Sequence, residues 1–226
     1  LEDFLKIHGV GKQHANKLFK SGFKSIDDLN NCPNIHDYLN ETQLKGLKYY
    51  HDILQRIPYQ EIVTHELILK KILNKIDPEA QLTIAGSYRR KKETSGDIDL
   101  LLKANHKKTY DKFIDTLSES NYLVEHLARG NKKYMGLGKI SNSPCCRRID
   151  IMYTKPEEYP FAVLYFTGSG DFNQRMRSDA LQMGYTMNEY SIKHTETKFK
   201  VNHKFVSERD IFDFLNYKYI RPENRI

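Results

Sequence analysis

Several residue types and patterns are missing from the sequence, and each absence narrows the class of protein. Tryptophan is absent, and the three cysteines, Cys32, Cys145 and Cys146, include no C-x-x-C pair. An odd number of cysteines without paired spacing indicates neither a disulfide framework nor a zinc site, and it fits a reducing compartment. The nine histidines show no i, i+4 pairing that would bind zinc. No apolar run reaches the roughly 18 residues of a membrane span and no signal peptide is recognisable, so we expect an intracellular chain without membrane contact.

Charge and apolar content set the next limits. Lysine and arginine number 36 against 29 acidic residues, which gives a formal net charge of +7. This balance favours a polyanionic partner, although many basic proteins bind none. Hydrophobic residues make up 39% of the 226 residues, which is enough for buried cores in one large domain or in two to three small ones. Composition therefore leaves the function open.

The stretch from Thr83 to Leu102 carries the strongest chemical signal. It predicts a buried strand, a Gly86-Ser87 turn, a basic loop and a second strand with Asp97 and Asp99. Because side chains alternate along a strand, both aspartates project from one face. Neighbouring carboxylates repel each other unless a cation lies between them, and Mg²⁺ prefers such hard oxygen ligands. The alternative is a solvated strand edge, which is what a lone D-x-D pattern more often marks.

The context of the two aspartates bears on these alternatives. A Gly-Ser turn ahead of a D-x-D strand resembles the nucleotidyltransferase superfamily, which requires a third carboxylate on a neighbouring strand. The segment Arg147–Met152 predicts such a strand, with Asp150 on the face opposite to Ile149 and Ile151. The three acids together indicate a metal site for phosphoryl transfer. Phosphates held there could reach the cations of the basic loop, which are Arg89, Arg90, Lys91 and Lys92.

Residues 1–57 read as helical and begin with a motif of their own, a tight turn through Gly9 and Gly11. The helix after the turn is expected to place on one face Ala15, Leu18 and Phe19. Helix, turn and helix resemble the helix-hairpin-helix module of DNA-binding proteins, in which backbone N–H groups approach a phosphate without reading sequence. Nearby positive charge comes from Lys12 and Lys17. Taken alone, the turn fits an ordinary packing corner with a glycine cap equally well.

Periodicity and turn residues predict the other elements of the chain. The predicted helices are Ser25–Asn31, Glu41–Arg56, Tyr59–Ile76, Lys107–Ser120, Glu157–Phe166, Asp171–Met183 and a last one that runs from a capping box at Ser207 and Asp210 to Tyr217. The other predicted strands are 81–86, Tyr122–Leu127, Lys133–Lys139 and a hairpin of Tyr185–Lys193 with Lys198–Val201.

Seven blocks, in order along nearly the whole chain, resemble the family X DNA polymerases, the family of polymerase beta. The blocks are HGVGKQHANKLF, GLKYYHDILQRIP, GSYRRKKETSGDIDLLL, RRIDI, VLYFTGSGDFNQRMR, GYTMNEYSI and DIFDFLNYKY. The resemblance implies an α+β fold in three parts: a helical DNA-binding subdomain with the helix-hairpin-helix (1–57), a nucleotidyltransferase palm with a small mixed sheet and helices (58–154), and a C-terminal α/β subdomain that selects the nucleotide (155–226). It implies template-directed addition of deoxynucleotides to a primer 3′-hydroxyl, with gap filling in base excision repair as the expected role.

The resemblance also assigns roles to individual positions. Asp97, Asp99 and Asp150 are similar to the metal-binding triad, with Asp150 on the catalytic ion beside the primer end. The residues expected to hold the triphosphate are Arg56, Ser87, Arg90, Ser95 and Gly96. The residues expected to contact the sugar and the minor-groove side of the incoming nucleotide, and so to select it, are Tyr165, Phe166, Gly168 and Asn173. Expected DNA contacts are Gly9, Gly11, Lys12, Lys133, Arg148 and Arg177, and residues of the moving subdomain are Glu189 and Tyr190.

Cofactors and partners follow from the same resemblance. Two Mg²⁺ ions are expected, with Mn²⁺ as a substitute. A Na⁺ or K⁺ ion is expected at the hairpin, on the backbone carbonyls of Leu5, Ile7 and Val10. We expect a monomer that binds gapped or primed DNA and deoxynucleoside triphosphates. Nuclear residence is the simplest expectation, and a viral origin stays open because the Lys-, Asn- and Ile-rich usage hints at an A+T-rich genome.

Four departures from the family pattern qualify these expectations. Gly170 stands where polymerase beta has an aspartate that contacts the incoming base, so lower base affinity is expected. Met152 replaces an arginine associated with subdomain switching, which leaves that switch in doubt. The loop Ser141–Cys146 is short, whereas template-independent members carry a long loop there, so the loop favours template-directed synthesis. The residues include no lyase domain, and we expect no removal of 5′-deoxyribose phosphate.

Two other functions stay open. A nucleotidyltransferase that extends termini or RNA ends would share the three acids but would not need the HGVG hairpin or the YFTGSG block. A non-catalytic DNA-binding scaffold could keep the fold after losing activity, although the presence of all three acids argues against it.

Overall fold

The computed structural model of the chain describes residues 1–226, which form helices and strands. The helices are α1 (Glu2–Leu5), α2 (Lys12–Lys20), α3 (Ile26–Asn30), α4 (Glu41–Lys48), α5 (Tyr50–Leu54), α6 (Tyr59–Ile76), α7 (Gly86–Arg89), α8 (Lys107–Glu119), α9 (Tyr159–Thr167), α10 (Gly170–Gln182) and α11 (Glu208–Phe214). The strands are β1 (Ile57–Pro58), β2 (Gln81–Ile84), β3 (Thr94–Ser95), β4 (Ile98–Lys103), β5 (Leu123–Arg129), β6 (Lys133–Gly138), β7 (Arg147–Thr154), β8 (Tyr185–Met187) and β9 (Ile192–His194). The chain is therefore a mixed α+β protein.

A five-stranded sheet in the order β2-β4-β7-β6-β5 forms the middle of the molecule. Its central pair, β4 and β7, is parallel, and its other pairs are antiparallel. Side chains alternate along β4, and those that enter the main core with α6 and α8 are Ile98, Leu100 and Leu102. On the other face, Leu101 packs with Ala162 and Val163 of α9. Helices thus cover both faces of the sheet.

The helix α6 has 18 residues and the predicted bounds. It follows Pro58, whose φ of −60° suits the entry to a helix. It ends before Asp77, which is extended because a residue ahead of a proline is disfavoured in the helical region. Its inward face contributes Ile62 and Leu69 to the main core. None of the helices combines the length and the apolar character that a bilayer crossing requires.

The amino-terminal helices α1 to α5 have a separate small core. They contact the central sheet through polar bonds as well as apolar packing. The Lys45 ammonium donates to the His126 carbonyl at 2.7 Å and pairs with Glu125 at 2.9 Å. The backbone N–H of Cys146 donates to the Asp52 carboxylate at 2.9 Å. These bonds hold the helical part against β5 and against the start of β7.

The carboxyl-terminal part packs α9, α10 and α11 around an aromatic core that includes Phe161, Phe172 and Phe212. Its last helix begins as predicted, because the Asp210 carboxylate accepts hydrogen bonds from the backbone N–H groups of Val206 and Ser207, both at 2.8 Å.

Three sequence predictions about these elements were wrong. Phe19 is 52% exposed, although its helix buries Ala15 and Leu18. The single helix predicted over Glu41–Arg56 is divided into α4 and α5 at Tyr49, whose φ and ψ of −103° and 19° lie outside the helical range.

The third error concerns the segment Tyr185–Lys193, which was predicted as one strand. It is itself a hairpin of β8 and β9, because the Asn188 side chain accepts from the backbone N–H groups of Tyr190 and Ser191 and turns the chain. The predicted partner strand Lys198–Val201 contributes only an isolated bridge, between Lys193 and Lys200.

Candidate active site

The three acids singled out by the sequence pattern lie together on one face of the central sheet. Asp99 of β4 and Asp150 of β7 are direct neighbours in the register of the parallel pair. Asp97 precedes β4 by one residue and, two positions from Asp99, projects from the same face. Asp150 is only 6% exposed. The three carboxylates therefore lie together on the sheet face against which α9 packs at Leu101.

Two cations lie between these carboxylates. The Arg148 guanidinium pairs with Asp97, and its Nε is 3.5 Å from Asp150 Oδ1. The Lys133 ammonium on β6 is 3.4 Å from Asp150 Oδ2. Both cations, to which the resemblance assigns DNA contacts, are ion-paired within the site in this structure. They offset part of the negative charge that the three acids bring together.

The negative charge that these cations leave uncompensated affects the pKa values of two acids, Asp99 and Asp150. Burial raises the pKa of Asp99 to about 7, and the neighbouring charges of Asp97 and Asp150 add to the effect. Burial also raises the pKa of Asp150, against the opposing influence of Arg148 and Lys133. The cluster would be more stable in its ionised form with additional positive charge.

The donor set fits a divalent metal, although the three carboxylates are not arranged here as a ready group of ligands. Asp150 Oδ1 is buried and has no hydrogen-bond partner. Next to Asp99, the chain uses Gly86 with a φ of +59°, and a Cβ at this position would lie 2.6 Å from Asp99 Oδ2. A buried carboxylate oxygen without a hydrogen bond and a donor set made of oxygens alone suit Mg²⁺ or Mn²⁺.

The residues expected to hold a triphosphate lie around α7 and β3, directly beside Asp99. Ser87 Oγ donates to Ser95 Oγ at 2.7 Å. The Arg56 guanidinium donates to the Thr94 carbonyl at 2.9 Å. A Cβ on Gly96 would lie 3.3 Å from the same guanidinium. Hydroxyl and guanidinium donors thus gather at one point, as phosphate oxygens require.

Arg90 joins this group to the start of the carboxyl-terminal part. Its Nη1 donates to the Thr167 carbonyl at 2.6 Å, and its Nε is buried without a partner. Gly168 follows with a φ of +67°, and a Cβ there would lie 3.1 Å from Arg90 Nη1. Burial lowers the pKa of Arg90, while Asp99 acts in the opposite direction. Arg90 therefore has an unused donor next to the acids.

The residues expected to judge the nucleotide lie at the adjoining ends of α9 and α10. The Asn173 side-chain amide donates to the Tyr165 carbonyl at 2.7 Å, which fixes both residues. Tyr165, Asn173 and Arg177 line an open cavity of about 260 Å³. The Phe166 ring stands edge-on to Tyr165 with 5.0 Å between centroids. Arg90, through its bond to the Thr167 carbonyl, links the donor group beside Asp99 to this end of α9.

Tyr190 and Glu189 lie farther off, in the turn between β8 and β9. The Lys132 ammonium lies 5.1 Å from the centre of the Tyr190 ring. This contact connects the turn to the strand region that carries Lys133.

The glycine turn of the amino-terminal part is held by side chains from α4. Gly9 has a φ of +84°, which favours glycine, and its carbonyl accepts from Gln43 Nε2 at 2.8 Å. Gly11 caps α2 without a side-chain bond, and a Cβ on it would meet nothing within 4 Å. The first N–H groups of α2, beginning at Lys12, are consequently open to a ligand. At the expected cation site, the Ile7 carbonyl accepts from Val10 N–H at 3.0 Å.

Two buried ion-pair networks near the site were not foreseen from the sequence. Glu208 of α11 accepts from Arg89 at 2.7 Å and from both terminal nitrogens of Arg225 at 3.0 Å. Glu61 of α6 accepts a bidentate pair of bonds from Arg147, both at 2.7 Å. No local spacing signals these pairs, because their members come from distant parts of the chain.

Fold and site together define the class: a mixed α+β protein with a palm-like sheet that brings three acids together. Comparison with protein families agrees with this class. The family model of the DNA polymerase beta palm matches residues 56–156, that of the DNA polymerase beta thumb matches 162–226, and that of the fingers domain of DNA polymerase lambda matches 2–54. These models together cover nearly the whole chain.

Individual relatives point to the same family. DNA polymerase lambda of Arabidopsis thaliana is 31% identical over 98% of this chain and 45% of the relative. DNA polymerase lambda of Rattus norvegicus is 29% identical over 100% of this chain and 42% of the relative. DNA nucleotidylexotransferase of Xenopus laevis is 26% identical over 99% of this chain and 51% of the relative. The chain belongs to the family X DNA polymerases, and it spans about half the length of these relatives.

Proposed function

We propose that this chain is a template-directed DNA polymerase that adds deoxynucleotides to a primer 3′-hydroxyl and fills gaps during base excision repair. The observation that carries the proposal is the position of Asp97, Asp99 and Asp150 on one sheet face, beside the donor group of Ser87 and Arg90. Family membership supports it. In this proposal residues 1–57 bind DNA, 58–154 carry the chemistry and 155–226 select the nucleotide.

The chemistry requires positioning and charge neutralisation more than a covalent intermediate. Asp97, Asp99 and Asp150 would hold two Mg²⁺ ions, with Mn²⁺ as a substitute. When bound, these ions lower the pKa of the 3′-hydroxyl and stabilise the charge that develops at the α-phosphorus. Arg148 and Lys133 would leave their carboxylate partners and turn to the DNA backbone.

The chain's own donors would orient the nucleotide. The guanidinium groups of Arg90 and Arg56 would supply charged donors for phosphate oxygens, and Ser87, Ser95 and Gly96 lie in the same place. Tyr165, Phe166, Gly168 and Asn173 would contact the sugar and the minor groove. Arg177 lines the same cavity as Tyr165 and would contact the template strand.

The glycine turn would hold the DNA backbone. Gly9 and Gly11 leave the first N–H groups of α2 open, and Lys12 adds charge next to them. The carbonyls of Leu5, Ile7 and Val10 would hold a Na⁺ or K⁺ ion, which would supply positive charge for a DNA phosphate. We expect the chain to act as a monomer, in the nucleus if the host is a eukaryote.

Primer extension on duplex DNA with a one-nucleotide gap tests the proposal. Asp150→Ala should reduce incorporation by roughly 10³-fold or more, because several kcal/mol of transition-state stabilisation are lost. Binding of gapped DNA, measured by fluorescence anisotropy, should change little. The exposed and unpaired Asp37 offers a matched control, and Asp37→Ala should retain full activity. Full activity of Asp150→Ala would refute the assignment of the acids.

A second candidate function is template-independent extension, since a DNA nucleotidylexotransferase is among the relatives. The same assay separates the two candidates. A template-directed enzyme inserts into the gap the nucleotide that is complementary to the template base. It leaves a single-stranded primer unextended. Extension of the single strand with no preference among nucleotides would support the second candidate.

A further inference from the structure

The segment 193–206, which begins in β9 and ends before α11, concentrates positive charge on the outside of the carboxyl-terminal part. It contains a single acid, Glu196, and four lysines that form no ion pair with any carboxylate. These lysines are Lys193, Lys198, Lys200 and Lys204. Unpaired charge of one sign on one short segment attracts a polyanion.

The same segment exposes an aromatic ring. Phe199 is 76% exposed, more than any other aromatic side chain of the molecule, and it lies between Lys198 and Lys200. Val206, at the end of the segment, is 70% exposed. An exposed aromatic ring on a basic segment is a combination that stacking sites for nucleic-acid bases share.

Backbone hydrogen bonds order the turn that carries this ring. The N–H of His194 donates to the Phe199 carbonyl at 3.0 Å, and the N–H of Lys198 donates to the His194 carbonyl at 3.0 Å. Lys198 occupies the left-handed region with a φ of +62°, which reverses the chain. Val201 N–H then donates to the Ile192 carbonyl at 3.2 Å. The exposed ring is therefore part of an ordered, hydrogen-bonded turn.

A cavity of about 550 Å³ opens beside the turn. From the segment it is lined by Lys200, His203 and Lys204. From the opposite side Lys103 and Tyr190 contribute. This volume is within the range of pockets that accept a molecule of nucleotide size. The lining also includes one acid, Glu157, and Phe199 lies outside the cavity, next in sequence to Lys200.

We propose that segment 193–206 binds single-stranded nucleic acid, with Phe199 stacked on a base and the lysines in contact with phosphates. Stacking on an aromatic ring within a basic groove is the usual mode for single strands, whose bases are accessible and whose backbone carries the charge. An acidic protein would satisfy the lysines but would leave the exposed ring without a function. The surface is distinct from the acids and from the glycine turn, so it extends the proposed function.

Fluorescence anisotropy with a labelled oligo(dT) tests the proposal on the full chain. Saturating unlabelled gapped duplex is present, so that the polymerase cleft is occupied. Phe199→Ala should raise the Kd for oligo(dT) about tenfold, as expected for one lost stack. The double variant Lys198→Gln with Lys200→Gln should reduce the slope of log K against log salt by about 1.4, or 0.7 for each lost phosphate contact.

Matched variants on α6 provide the controls. Leu67 is 66% exposed, and Lys71 and Lys75 are exposed on the same helix. Leu67→Ala therefore removes an exposed apolar side chain elsewhere, and the pair Lys71→Gln with Lys75→Gln removes two exposed charges elsewhere. These controls should bind oligo(dT) like the unaltered chain.

Three outcomes would overturn the proposal. The segment variants could bind oligo(dT) as tightly as the α6 controls. The gapped duplex could displace all of the oligo(dT), which would place the single strand in the polymerase cleft. A poly-glutamate peptide of equal charge could compete as well as unlabelled oligo(dT), which would indicate an acidic protein partner. Loss of gap filling alone would not affect this inference, because the readout is binding.

Discussion

Gly86 lies so close to the Asp99 carboxylate that only a residue without a side chain fits there. Its φ of +59° disfavours any side chain, and the space that a Cβ would take is filled by Asp99 Oδ2 at 2.6 Å. A larger residue must therefore either strain the backbone or move a carboxylate of the triad. In a phosphoryl-transfer site, displacement of such a group by about 1 Å reduces the rate roughly 10²-fold.

Gly86→Ala should accordingly lower kcat for gap filling about 100-fold, with a smaller effect on DNA affinity. Gly22→Ala is the matched control, because Gly22 also has a positive φ, +101°, but a Cβ there meets nothing within 4 Å. Both variants carry the backbone penalty, and only one disturbs Asp99. Equal activities of the two variants in steady-state kinetics would contradict the role given to Gly86.

His65 is a second residue whose environment has a measurable consequence. It is fully buried on α6, and its Nδ1 lies 2.6 Å from the Tyr122 hydroxyl. Burial lowers its pKa from 6.5 to about 4, although Glu61 acts in the opposite direction. At a pH between these two pKa values, the His65 imidazole is protonated in the unfolded chain and neutral in the folded chain.

The contribution of His65 to the free energy of unfolding should therefore be fully present above pH 6.5. It should fall by as much as about 3 kcal/mol as the pH decreases toward 4. His65→Gln removes the titrating group, so its urea midpoint should depend less on pH over this interval. His36→Gln, at an exposed position, should keep the pH dependence of the unaltered chain. Identical pH profiles for the His65 and His36 variants would rule out the explanation.

At the scale of elements, α7 and α11 are connected through a buried charge network. Arg89 of α7 and Arg225 near the carboxyl terminus share the Glu208 carboxylate. Although burial alone would raise it, hydrogen bonds from these two arginines lower the pKa of Glu208. Because Arg90 follows Arg89 directly, the network also positions the helix beside the expected triphosphate site.

Glu208→Gln should destabilise the fold by about 3 kcal/mol, since it leaves the buried Arg225 and the half-buried Arg89 without a countercharge. Calorimetry should show a Tm decrease of roughly 10 °C for a chain of this size. Glu223→Gln is the control, because Glu223 pairs with Lys91 at the surface and at a longer distance of 3.7 Å. A Tm for Glu208→Gln equal to that of the control would show that the network contributes little.

For the molecule as a whole, the net charge of +7 and the distribution of its cations predict strongly salt-dependent DNA binding. With about six phosphate contacts, affinity for gapped DNA should fall roughly 10³-fold between 50 and 200 mM salt. Anisotropy titrations over this range measure the slope. Substituting Gln for Lys12 should reduce the slope by about 1, and an affinity independent of salt would contradict backbone binding.

The sequence by itself determined the elements whose signals are local. The helix α6 has the predicted bounds because an apolar pattern between two prolines is a property of consecutive residues. The alternation of β4 and β7 placed Asp99 and Asp150 on the face away from the core for the same reason. The resemblance to family X, carried by ordered blocks, is likewise a property of the chain alone, and the family comparisons confirmed it.

Tertiary structure alone decided which groups pair across the chain. Nothing near Glu208 indicates its partner Arg89, 119 residues away, and nothing near His65 indicates Tyr122, 57 residues away. Such contacts form only when the folded chain brings distant residues together and removes them from water. For that reason the three acids could be found in the sequence, whereas the cations between them and the networks around them could not.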